Sequence, residues 1–222
     1  MIWNDQLNKE NLWKGCMVAM IAHAIMVARY PELSYEHSWD GSNYSMIDGS
    51  GGRGTLTFTE KHIVAAFRNE NIIRTDINRA VDYFKGASQE IIELAENEAL
   101  QYLLMEGDDG KTIPSITTAF WGDINSVSSN DTIVKFVQSG GYLIENQLLD
   151  YTSAIDAWRE YYKMSKDQIK LLESLYKRKV ERKESNIVLT RNEIKVLGTD
   201  DIEGLRESQN SFEEIGIMFK GD

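Results

Sequence analysis

With 222 residues, 42% of them hydrophobic and 27% charged, the chain has the composition of a globular protein with material for a substantial core. Its single cysteine, Cys16, excludes an internal disulfide framework or a cysteine-rich zinc site. The net charge of −11 argues against nucleic acid or an anionic membrane surface as a direct ligand, because both are gripped by clustered Lys and Arg. It suits a basic protein partner, or simply solubility.

Residues 11–30 predict a helix. The run 16–28 is apolar except for His23, and apolar residues cover most of the helix circumference, so the helix belongs in the core. The run is too short for a membrane span, which needs about 20 apolar residues. Asp5 and Glu10 balance Lys9 and Lys14 ahead of it, unlike the positive start of a secretory signal. A cytoplasmic protein is the expectation. Pro31 ends the helix.

Three short strands follow, at 34–39, 43–47 and 53–59, joined by Asp40-Gly41 and by the glycine-rich stretch 48–52. In the third, Leu56 and Phe58 alternate with Thr55, Thr57 and Thr59, the pattern of a half-exposed sheet surface. Residues 62–68, with an apolar run at 63–67, suit a fourth strand or a short helix. Ile77, Val81 and Phe84 then have helical spacing. Ser88 is placed to cap a helix running from Gln89 to about Met105. An extended segment is expected over 112–121, then a helix to Gln138 capped by Asn130 or Asp131.

From Asp150 the pattern is helical, over 152–164 and again from Ser165 to about Lys183. Residues 186–197 suit two short strands, or a brief helix capped by Thr190 with Glu193 three residues on. Two short helices, 200–209 and 211–219, close the chain. The fold class is α+β: an antiparallel β-meander packed against helices, with a helical C-terminal part. No composition shift divides the chain, which reads as one domain over 1–222 with 150–222 open to being a helical subdomain.

No motif names a reaction. The loop Gly49-Ser50-Gly51-Gly52-Arg53-Gly54 leads into a strand and lacks the lysine of a phosphate loop, so its glycines serve a hairpin. His37, Asp40, Asp48 and His62 show no metal-ligand spacing, and neither a metal nor a cofactor is expected. Cys16, inside the apolar helix, acts as a small hydrophobe. Glu36, Asp40 and Asp48 beside Trp39 and Tyr44 suggest a sugar-active or hydrolase cleft at the meander rim, provided two carboxylates converge. Turn formation accounts for Asp40 and Asp48 more economically.

The second theme is surface chemistry. Between Gly86 and Asp109 stand Glu90, Glu93, Glu96, Glu98, Glu106, Asp108 and Asp109 with no base among them. Trp39 and Trp121, each near an Asp-Gly or Gly-Asp pair, are expected to be partly exposed. The residues expected to bind a partner are therefore Trp39, Asp40, Tyr44, Glu90, Glu93 and Glu96, with no catalytic residues and no enzyme activity.

The sequence Trp39-Asp40-Gly41-Ser42-Asn43-Tyr44, the turn Gly51-Gly52-Arg53-Gly54 entering a strand, and the acidic balance resemble the immunity proteins of bacterial polymorphic toxin systems. The similarity covers residues 34–67 and transfers no site residue. It implies stoichiometric inhibition of a toxin domain by masking its active site.

Overall fold

The structure, a computed structural model, describes residues 7–77, 79–106 and 110–220. Trp3, Asp108 and Asp109 lie outside the described residues. In chain order the regular elements are helix α1 (Lys9–Met26), strands β1 (His37–Asp40), β2 (Asn43–Ile47), β3 (Gly52–Phe58) and β4 (Ile63–Asn69), helix α2 (Gln89–Asn97), and strands β5 (Leu104–Glu106), β6 (Thr112–Pro114), β7 (Thr118–Gly122) and β8 (Val127–Ser128). Helices α3 (Ile133–Gln138), α4 (Tyr151–Tyr162) and α5 (Lys166–Tyr176) follow, then strand β9 (Ile187–Leu189), helices α6 (Arg191–Val196) and α7 (Ile202–Glu214), and strand β10 (Ile217–Phe219). One antiparallel sheet takes six strands in the order β1-β2-β3-β4-β7-β8, and the C-terminal part is mainly helical, so the fold is α+β.

The chain forms two compact units, one of residues 1–13 with 42–145, the other of 14–41 with 146–222. In the first unit the ladder registers place Asn43, Thr57, Val64 and Trp121 in one cross-strand row, and Ser45, Thr55, Ala66 and Ala119 in the next. This face lies under α2 and the 3-10 turn Ala99–Leu103, where Ile91, Ala95, Leu100 and Leu103 pack with Val64, Ala119 and Trp121. On the opposite face Phe67, Phe120 and Phe136 of α3 pack with ring centroids 5.4–6.0 Å apart. The sheet is therefore buried on both sides. Thr55 and Thr57 are buried, not half-exposed, because the 3-10 turn Ala99–Leu103 that follows α2 covers the polar row.

The glycine-rich stretch is a β2–β3 hairpin loop. Gly51 adopts φ +87°, and the Ser50 and Gly52 backbone amides both donate to Asp48 Oδ1, at 2.8 and 2.7 Å. The helix expected from Gln89 to Met105 keeps its Ser88 cap but ends at Asn97, tightening to the 3-10 turn and then entering β5. Asp131 does not cap α3; Thr132 does, accepting from the Lys135 amide. Asp131 is buried instead. It accepts from Arg74 Nη1 at 3.0 Å, Arg74 Nη2 at 3.1 Å and Thr118 Oγ1 at 2.6 Å. Arg74 also pairs with Asp76, and Arg74 and Lys135 together hold the Asp76 carboxyl well below the usual carboxylate range.

In the second unit, α1 is buried almost throughout from Cys16 onward, and burial pushes the Cys16 thiol up in pKa. The helix ends at Met26, followed by turns, so Pro31 opens a 3-10 turn and does not itself stop α1. Residues 34–36 are turn, and the strand expected over 34–39 begins at His37. Helix α7 lies against the α1 end: a Cβ at Gly204 would meet the Ala28 carbonyl at 2.1 Å, and Ser208 Oγ donates to the Ala24 carbonyl at 2.6 Å. The capping boxes at Ser165 and Thr190 both form. In place of two helices over 200–209 and 211–219 there is one, α7, over Ile202–Glu214. The chain then turns at Gly216 into β10, which pairs in parallel with β9.

His23 and His37 meet edge to face in this core, with centroids 5.2 Å apart, and His37 packs on Trp158 at 5.3 Å. The carboxylate of buried Glu36 accepts from Tyr161 Oη at 2.7 Å and Tyr162 Oη at 3.1 Å. Tyr162 has one proton and gives it to Glu36, so His23 Nδ1, 3.1 Å away, donates to Tyr162. Burial drives the His23 pKa down to about 4, against a smaller opposing effect of the Ser34 backbone. Burial, reinforced by His23, also drives His37 well below its usual value.

Two outcomes follow from these packed polar groups. The Arg74 and Asp131 side chains are 7% and 4% exposed, so Arg74→Met should leave the buried carboxylate with only Thr118 and the more distant Lys135, at 3.8 Å, and cost about 3 kcal/mol in urea unfolding. A loss under about 1 kcal/mol would contradict this pairing. For His23 the folded pKa, about 4, lies below the unfolded value of 6.5, so the unfolded chain binds the extra proton between them. Stability is full above pH 6.5 and falls as pH drops toward 4, with His23 contributing a loss of about 3 kcal/mol. His23→Gln, which keeps a donor for Tyr162, should flatten that slope in pH-dependent denaturation. An unchanged slope would contradict the assignment.

Candidate functional site

The site is built around the β3–β4 turn of the first unit. The Thr59 amide donates to the His62 carbonyl at 2.9 Å, and the His62 amide donates back to Thr59 Oγ1 at 2.9 Å. Lys9 of α1 ties the turn down further. Its ammonium donates to the carbonyls of Thr59 at 2.8 Å and Glu60 at 2.5 Å. Glu60 and Lys61, at the turn's tip, are exposed.

Between this turn and α2 lies a cleft of about 440 Å³ lined by Thr59, Glu60, Lys61, His62, Glu90, Glu93, Leu94, Asn97 and Glu98. Positions 90, 93, 94 and 97 form a single stripe at the i, i+3, i+4, i+7 spacing of a helix face. The adjacent stripe, with Ile91 and Ala95, is the buried one that seats α2 on the sheet. His62 Nε2 lies 3.3 Å from Glu90 Oε2 and joins turn to helix. Glu98, just past the helix end, is held by Asn43 Nδ2 at 2.9 Å, while Asn43 Oδ1 accepts from Thr57 Oγ1 at 2.6 Å. Four carboxylates thus share the cleft with Lys61 and His62.

A second hollow of about 440 Å³ shares Thr59 with the cleft and is lined by Lys9, Glu10, Trp13, Phe58, Thr59 and Ile124. Phe58 is on the sheet face opposite the Asn43–Thr57 row, so hollow and cleft flank the turn from the two faces. The hollow is apolar where Trp13, Phe58 and Ile124 meet.

Of the residues expected to bind a partner, Glu90 and Glu93 line the cleft. Glu96 falls off their stripe and does not line it. Tyr44 is 0% exposed and Trp39 8%, so neither offers contact area; Trp121, expected to be partly exposed, is also 8% exposed. Trp39 is fixed in place, its Nε1 donating to the Gly41 carbonyl at 3.0 Å and its amide to Glu214 at 2.7 Å. Burial of Glu214 raises its pKa, with the Trp39 amide opposing and Asp40 adding to the rise. Asp40 is exposed and belongs to the second unit, whereas Glu90 and Glu93 belong to the first.

The carboxylates expected at the meander rim have other work. Glu36 serves Tyr161 and Tyr162, and Asp48 closes its own loop and accepts from Tyr142 Oη at 2.8 Å. Burial, with Asp48 adding to it, pushes Tyr142 up to about 12. Among the described residues, no group of three or more His, Cys, Asp and Glu is placed to hold a metal ion, and no helix is long and apolar enough to cross a membrane. Sequence reasoning missed Glu60 as a site residue, and Trp13, Phe58 and Ile124 as a group. Glu60 sits between two alternating strands, a position that marks a hairpin tip.

Asn43 carries the coupling between sheet and cleft. Asn43→Ala should strand the buried Thr57 hydroxyl and release Glu98, costing about 1–3 kcal/mol in chemical denaturation. A cost below about 0.5 kcal/mol would show that the relay does not hold α2 in place.

No protein-family model matches the chain, and no curated protein or solved structure matches it either.

Proposed function

We propose that this protein is a non-catalytic binding module that neutralises a basic toxin domain by stoichiometric binding, in the manner of the immunity proteins it resembles. The single observation that carries the reading is the acidic cleft: Glu60, Glu90, Glu93 and Glu98 gathered around a hydrogen-bonded hairpin turn and a capped helix. A surface of this sign accelerates encounter with a basic partner and opposes an acidic one. The hydrolase reading draws less support, because Glu36 and Asp48 are engaged by tyrosine hydroxyls and backbone amides.

The test uses the product of the gene immediately upstream of this one as the candidate toxin. Co-expression should restore growth, and the purified pair should form an equimolar complex. Raising salt from about 50 mM to about 500 mM should slow association steeply, since exposed charges are then screened within a few ångströms. The variant E90Q/E93Q should lower the association rate about tenfold at low salt and leave dissociation nearly unchanged. A salt-independent rate, unchanged in the variant, would remove the cleft from the interface.

A further inference from the structure

The hollow beside the cleft has a chemistry of its own. We propose that the Trp13–Phe58–Ile124 hollow receives an apolar side chain of the same basic partner, which therefore straddles the β3–β4 turn. An aliphatic or aromatic anchor sits on one face of the sheet and a lysine or arginine on the other. This inference rests on the reading of the cleft as the site of a basic partner.

Three observations select the occupant. The hollow and the cleft share Thr59, so one short segment reaches both. The combined lining carries the carboxylates of Glu10, Glu60, Glu90, Glu93 and Glu98 against the ammonium groups of Lys9 and Lys61. The carboxylates outnumber the ammonium groups, and the net negative field favours a cationic segment. Three of the hollow's lining side chains, Trp13, Phe58 and Ile124, are apolar, and Ile124 is 57% exposed, surface that an inserted hydrocarbon side chain would remove from water. The two walls also divide the energetics. The acids govern approach, whereas the hollow governs residence, because a desolvated apolar contact is lost only on dissociation. The apolar anchor thus comes from the partner, while Trp39 and Tyr44 of this chain stay buried.

The experiment is a backbone NMR titration of the full chain with three short synthetic peptides repeating Lys-Leu-Gly, Lys-Ser-Gly or Glu-Leu-Gly. The Lys-Leu-Gly peptide should shift the amides of 59–62 and 90–98 together with Ile124 and the Trp13 indole. The Lys-Ser-Gly peptide should shift the cleft residues alone and bind about tenfold more weakly, the equivalent of losing one buried leucine side chain. The Glu-Leu-Gly peptide should not bind. Ile124→Asp, at an exposed turn position, should bring Lys-Leu-Gly down to the affinity of Lys-Ser-Gly without unfolding the chain.

Equal binding of the two lysine peptides, with Ile124→Asp unaffected, would overturn the anchor and leave the acidic cleft intact. Tight binding of Glu-Leu-Gly would mean a hollow indifferent to charge and overturn the choice of a basic occupant. A concentration-dependent dimer abolished by Ile124→Asp would assign the hollow to a second copy and also overturn it. Failure of every peptide to shift 59–62 or 90–98 would instead defeat the reading of the cleft itself.

Discussion

The hydrogen bonds from Thr57 Oγ1 to Asn43 Oδ1 and from Asn43 Nδ2 to Glu98 Oε2 tie the sheet of the first unit to the segment just past α2. A polar row on a sheet normally faces water. Here the 3-10 turn after α2 covers it, and each buried donor or acceptor needs a partner inside the protein. Asn43 meets that requirement with an amide that accepts from the threonine and donates to the glutamate. The arrangement locates the end of α2 relative to β2 and β3. With it come the stripe of Glu90 and Glu93 and the position of the cleft beside the β3–β4 turn.

The second unit handles its buried polar groups differently. Glu36, Tyr161, Tyr162 and His23 form a chain in which each proton has one acceptor, and His37 packs against His23 and Trp158 by its ring. Both histidines are neutral near pH 7, because burial favours the uncharged imidazole. This polar core gives the unit a built-in sensitivity to acid. The acidic cleft of the first unit has a different dependence, on ionic strength, because its carboxylates lie at the surface.

Much of the architecture is legible in the sequence where one local signal dominates. The all-round apolar pattern of α1, the Ser88 cap, the Thr190 capping box and the turn between β1 and β2 each rest on neighbours in the chain. Features decided by distant partners are not. Asp131 is a good capping residue by type, yet Arg74 claims it and Thr132 takes the cap. Thr55 and Thr57 carry the pattern of a half-exposed face, and only the placement of the 3-10 turn Ala99–Leu103 makes them interior. The parallel β9–β10 pair joins segments nearly thirty residues apart, and neither strand exceeds three residues. Of the site, Glu90 and Glu93 stand out in a run of acids. Trp13, Phe58 and Ile124 come from three separate segments, and no local pattern connects them.

Recognition of a partner across the β3–β4 turn, as proposed, is tested most directly by hydrogen–deuterium exchange on the complex with the upstream gene product. Binding there should slow exchange at 59–62, at 90–98 and around Ile124, with the rest of the described surface unchanged. Slowed exchange confined to other segments, with the turn and α2 exchanging as in the free protein, would contradict it.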